Sequence, residues 1–75
     1  MAVKRHQEAV VAYEGYLALR PRQFKGWMNL GVSYGQMGRQ EEALRCFERA
    51  VEIAPDHPHA RANRDRAREL VGQRQ

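Results

Sequence analysis

The sequence has little of what usually locks a very small protein together. Among 75 residues there is one cysteine, Cys46. No internal disulfide can form, and a reducing, cytoplasmic setting is the expectation. Apolar runs are short as well. The longest, residues 9–13, falls far below the ~18 residues of a membrane span, and no apolar secretion segment opens the chain. A membrane role is therefore not expected. No stretch alternates apolar and polar residues with period two, which argues against β-strands. There is no glycine-rich phosphate loop. A chain of this length buries only ~60% of its unfolded surface, leaving little room for a catalytic cleft beside a core. An enzyme is not expected.

Acids are the scarcer charge, 9 against 13 Lys and Arg, for a net charge of +4. A basic surface attracts acidic proteins, nucleic acids or anionic lipids, and charge alone does not choose among them. The excess is concentrated late in the chain, at Arg61, Arg64, Arg66, Arg68 and Arg74.

Proline and glycine divide what remains. Pro21 and Pro55 cannot continue a helix, because each lacks the N–H and its ring meets the preceding turn. Gly38 can take the left-handed conformation that ends one. Pro58 suits a first helical turn, with Asp56 or His57 as its cap. The spacing predicts four helices, over 3–19, 23–37, 40–53 and 58–71. Each carries apolar residues at helical intervals: Ala9, Val10, Tyr13, Tyr16 and Leu17 in the first, Trp27, Leu30, Gly31 and Tyr34 in the second, and Ala43, Leu44, Phe47, Ala50 and Val51 in the third. The fourth is thinner, with Ala60, Ala67, Leu70 and Val71. Connections this short make consecutive helices antiparallel. The fold class is all-α.

A repeat runs through these helices. Pro21 and Pro55 stand 34 residues apart, and the same offset pairs Glu8 with Glu42, Ala9 with Ala43, Tyr13 with Phe47, Leu17 with Val51 and Asn29 with Asn63. The first helix recurs as the third, and the second recurs weakly as the fourth. The order is B, A, B, A.

The second and third segments resemble the tetratricopeptide repeat, whose 34-residue pattern is W-x₂-L-G-x₂-Y, then A-x₃-F, then A and P. Trp27, Leu30, Gly31, Tyr34, Ala43, Phe47, Ala50 and Pro55 fill every place. The resemblance implies an α-solenoid of four antiparallel helices. Residues 1–21 are then the second helix of a preceding unit, 22–57 a complete unit, and 58–75 a capping helix and tail. The small Gly31 and Ala43 let the two helices of the hairpin approach, and Trp27 packs as a core knob. In the fourth helix Arg61, Arg64, Asp65 and Arg68 replace the apolar signature, as a solvated terminal cap requires.

The resemblance also implies a function. In the family the first helix of each unit lines a concave groove that takes peptides. Here that places Lys25, Met28, Asn29, Val32 and Gln36 from the second helix beside His59, Asn63 and Arg66 from the fourth. Asn29 and Asn63 would grip a peptide backbone, and Lys25 and Arg66 would favour an acidic peptide or a terminal carboxylate. The expected role is a protein-interaction scaffold that needs no cofactor. The first helix has more apolar surface than one neighbour covers, so Val10, Tyr13, Tyr16 and Leu17 are candidates for self-association as a homodimer, or for contact with further repeats. The alternative is non-specific nucleic-acid or acidic-partner binding through Arg61, Arg64 and Arg68, which share one helix face. Nucleic acid is the weaker choice, since the last helix has no aromatic for stacking. His57 and His59 lack the four-residue spacing of helical metal ligands, so no metal is expected.

Overall fold

The computed structural model describes residues 2–73, with side chains from residue 5 onward. It has four helices: α1, Ala2–Leu19; α2, Phe24–Gln36; α3, Gln40–Ile53; and α4, Pro58–Gln73. No described residue lies in a strand. Arg74 falls outside the described residues.

Each helix packs on the next in order, α1 on α2, α2 on α3 and α3 on α4. The breaks follow local chemistry. Gly38 has φ of +80°, the only positive φ among the described residues. Its amide donates to the Gly35 carbonyl at 3.1 Å, and that of Arg39 to Tyr34 at 2.9 Å. These two bonds are the Schellman closure, which uses up carbonyls a helix C-terminus leaves free. At α4 the cap falls to His57. Its carbonyl accepts the Arg61 amide at 3.3 Å, and its ring lies 4.5 Å from that of Phe24.

The core runs along the helix seams. Ala43, Ala50 and Ala60 are fully enclosed, and Leu30, Tyr34, Phe47 and Ala67 are buried around them. At two places a missing side chain sets the spacing. A Cβ on Gly31 would lie 2.5 Å from the Phe47 ring, and one on Gly26 would lie 2.9 Å from Leu17 Cδ2. So α3 and α1 approach α2 through these glycines, and each opposing side chain fills the hole. Phe47 sits on the Gly31 side of α2 and Leu17 on the Gly26 side.

Leu17 and Val10 are thereby only 4% and 6% exposed. The expectation that they belong to an uncovered apolar face is corrected. At Leu17 the cause is local, because Gly26 lets α2 come close. Tyr13 is half-buried against the core. The apolar groups that α1 leaves outside are Val11 at 70%, Leu19 at 83% and Tyr16 at 40% exposure.

Candidate functional site

Two hollows flank the α2–α3 hairpin. The smaller, about 310 Å³, lies between α2 and α4. Its walls are apolar: Phe47 at the back, Ala67 and Leu70 on α4, Val32 on α2. Gly31 and Gly35, one turn apart on α2, face it without side chains. Gln36, Asn63 and Arg66 stand at its polar edge. Helical periodicity explains the convergence. Val32 and Gln36 are four residues apart on α2, Asn63 and Arg66 three apart on α4, so each pair projects from one face. Arg66 is exposed, and among the described residues no carboxylate lies within salt-bridge reach of it. Gln40 closes one end, its Nε2 donating to the Gly35 carbonyl at 3.2 Å.

Of the residues anticipated for a groove, Val32, Gln36, Asn63 and Arg66 therefore come together. Lys25 and Asn29 are exposed on α2 without lining this hollow. Met28 is half-buried and packs against the core. His59 is exposed at the start of α4, its ring 5.6 Å from that of His57. Gly31, Gly35, Gln40, Phe47, Ala67 and Leu70 complete the hollow and were not anticipated as site residues. Helical periodicity carries a partial signal for two of them, since Gly35 stands three residues after Val32 and Leu70 four after Arg66.

The larger hollow, about 580 Å³, opens between α1 and α3 with α2 as its floor. Leu17, Trp27, Leu30, Tyr34 and Cys46 line it, with Glu14, Glu42 and Arg45 among the polar residues. Trp27 is half-buried here, its Nε1 donating to the Pro21 carbonyl at 2.7 Å and the Arg49 guanidinium 5.6 Å from its ring. It packs against the core, as a core knob should, while one side of it also lines the cleft.

Electrostatics tie α1, α2 and α3 together at this cleft. The Tyr34 hydroxyl donates to Glu14 at 2.6 Å. The Arg39 guanidinium lies 5.1 Å from the Tyr34 ring and pairs with Glu42, Nε to Oε1 at 2.8 Å. Burial first, and then the bond to Glu14, push the Tyr34 phenol up to about 12. Burial, with Glu14 and Glu42 adding negative potential, pushes the Cys46 thiol up to about 12. A thiol held protonated in this way is a poor nucleophile.

The α4 basic stripe is shorter than its sequence suggests. Arg64 is partly buried and turns back onto Asp65, Nε and Nη2 reaching Oδ1 at 3.0 and 2.9 Å. Arg61 and Arg68 stay exposed. Among the described residues no group of three or more His, Cys, Asp or Glu side chains is placed to share a metal ion, and no helix is long and apolar enough to cross a membrane.

Comparison with known proteins bears on the same segment. The family model for the tetratricopeptide repeat matches residues 24–57. Over 71 residues, 95% of the chain, the sequence is 30% identical to the UDP-N-acetylglucosamine–peptide N-acetylglucosaminyltransferase of Giardia intestinalis, of which it spans 5%. It is 34% identical over 53 residues to Superkiller protein 3 of Schizosaccharomyces pombe, covering 71% of the chain and 4% of that protein. It is 32% identical over 56 residues to the peroxisomal targeting signal receptor of Eremothecium gossypii, covering 75% of the chain and 10% of that receptor. The chain spans a tenth or less of each of these relatives.

Proposed function

Residues 24–57 are a tetratricopeptide repeat, and on that premise we propose that the chain is a protein-interaction module whose ligand lies in the α2–α4 groove. The observation that carries the reading is the convergence of Val32, Gln36, Asn63 and Arg66 on one 310 Å³ hollow with an apolar back wall. Amides can hydrogen-bond a peptide main chain. Arg66, with no intramolecular ion pair among the described residues, is free to meet a ligand carboxylate. The ligand class is therefore a peptide segment with acidic character. A cytoplasmic setting suits the single cysteine. No catalytic role is proposed.

A peptide library panned on the immobilised chain tests this. Selected peptides should lose about tenfold or more in affinity on Val32→Asp or Arg66→Glu, as for residues central to an interface, with helical circular dichroism unchanged. Selected peptides indifferent to both substitutions would remove the groove assignment.

A second contact surface is favoured by α1. Val11 and Leu19 are large, apolar and mostly uncovered, with Tyr16 beside them. On this reading the outer face of α1 mediates self-association. Basic residues on α4 make a weaker surface for nucleic acid, since Arg64 is already engaged by Asp65.

A further inference from the structure

Gly31 and Gly35 both face the α2–α4 groove, yet only one of them is needed by the fold. At Gly31 a side chain would collide with Phe47. At Gly35 an added Cβ would meet only Oε1 of Gln40, at 3.9 Å, an ordinary contact. Nor does the backbone call for glycine there, since the only positive φ among the described residues belongs to Gly38. The Gly35 carbonyl accepts the Gly38 amide and the Gln40 side chain, bonds that any residue's carbonyl could make. Glycine within a helix is unfavourable relative to alanine. A helix that carries this penalty with no packing reason keeps a space open.

That space belongs to the hollow walled by Phe47, Ala67, Leu70 and Val32, with Arg66 at its edge. Among the described residues no carboxylate lines it, so its charge complements an anion. Its volume of about 310 Å³ stands at the small end of ligand pockets, enough for a side chain or two rather than a long segment. The apolar wall and the guanidinium must then be met by neighbouring residues of one ligand.

We propose that Gly35 is a specificity-determining residue: the space beside it is a subsite for one aliphatic side chain, Leu- or Met-sized, of a partner peptide whose adjacent acidic residue pairs with Arg66. This rests on the groove reading above and adds to it the ligand's pattern and the residue that sets the subsite's depth.

The probe is the capped tetrapeptide Ac-Ser-Leu-Asp-Ser-NH₂, titrated into ¹⁵N-labelled chain through the millimolar range. Binding is expected to shift the amide signals of Val32, Gly35, Gln36, Asn63 and Arg66. Replacing the peptide's Leu by Ala should weaken it at least fivefold, and replacing its Asp by Asn should do so in a second, independent arm. Gly35→Ala should weaken it and Gly35→Leu abolish it, while both variants melt higher than wild type, by roughly 3–6 °C for the alanine variant. Loss of binding with a gain in stability separates a ligand subsite from a folding role. If the Leu and Ala peptides bind alike, or Gly35→Leu binds as wild type does, the subsite is wrong. The groove reading would then still stand on the panned peptides. If no probe shifts any α2 or α4 signal and panning also yields no groove-dependent peptide, both are overturned.

Discussion

The Phe47 ring occupies the space in which Gly31 would carry a side chain, with Cε1 only 2.5 Å from where the Cβ would stand. Helix propensity and packing oppose each other here. Gly31→Ala gains up to about 1 kcal/mol as a better helix former. It forces either α3 or a buried ring to move, an overpacking cost of about 1–3 kcal/mol. The ring is buried and rigid, with no flexible end to swing away, so the cost should win. Urea denaturation should show Gly31→Ala losing stability, by roughly 1–2 kcal/mol, whereas Gly35→Ala gains it. A stabilised Gly31→Ala would mean that the α2–α3 seam is looser than these distances indicate.

That opposition marks how far the sequence is readable. Helix ends were legible, because Pro21, Gly38, Pro55 and Pro58 act locally through missing donors and backbone conformation. The hairpin core was legible too, because Trp27, Leu30, Gly31 and Phe47 fall at spacings that only one antiparallel packing satisfies. The covered side of α1 was legible as well, since Val10, Tyr13 and Leu17 stand at helical intervals and Val11 and Leu19 fall off that face. How closely α2 covers it was not, because the approach of Leu17 at Gly26 is a tertiary contact. At the groove the polar edge was partly legible from helical periodicity. The space beside Gly35 was not, since a void leaves no letter in the sequence. The contact of Tyr34 with Glu14 joins α2 to α1 and lies outside the 34-residue pattern.

Burial of the Tyr34 phenol, together with that contact, makes stability depend on pH in the alkaline range. The folded chain holds the Tyr34 proton to about 12, above the phenol's ordinary value of 10. Between these values the folded state binds more protons than the unfolded one, so stability falls as pH rises. The contribution is complete below pH 10 and lost by about pH 12. Tyr34→Phe should lower stability at neutral pH by roughly 1 kcal/mol, the worth of one hydrogen bond. It should also flatten the decline between pH 10 and 12. Equal slopes for the two proteins in denaturation series across that range would show that the phenol does not carry the effect. Cys46 adds to the fall from about pH 9 in both proteins, so the comparison isolates the tyrosine.

Cys46 itself should be nearly inert toward alkylating agents while the chain is folded. It is buried, and its thiol is pushed up to about 12, so at neutral pH the thiolate that reacts is scarce as well as inaccessible. Labelling by iodoacetamide should therefore proceed at the rate set by unfolding, accelerating with urea in step with the loss of helix. Fast labelling of the native chain would show that the α1–α3 cleft opens far enough to admit reagent without global unfolding.

The outer face of α1 makes a prediction independent of the groove. Val11 and Leu19 lie eight residues apart, a little over two helical turns, so their side chains share a face and form a short apolar stripe beside Tyr16. Nothing lies within 4 Å of a Cβ placed on Gly15, midway between them. A second helix can therefore approach there as closely as α1 approaches α2 at Gly26. If this face associates with itself, light scattering should show a molar mass rising above 8.7 kDa with concentration. Val11→Glu combined with Leu19→Glu should return it to the monomer value with helicity retained, because both positions are already in solvent. The double variant should keep its groove affinity, since neither residue lines the α2–α4 hollow. A wild-type chain that remains monomeric at the highest concentration reached would leave the α1 stripe without this role and the groove reading untouched.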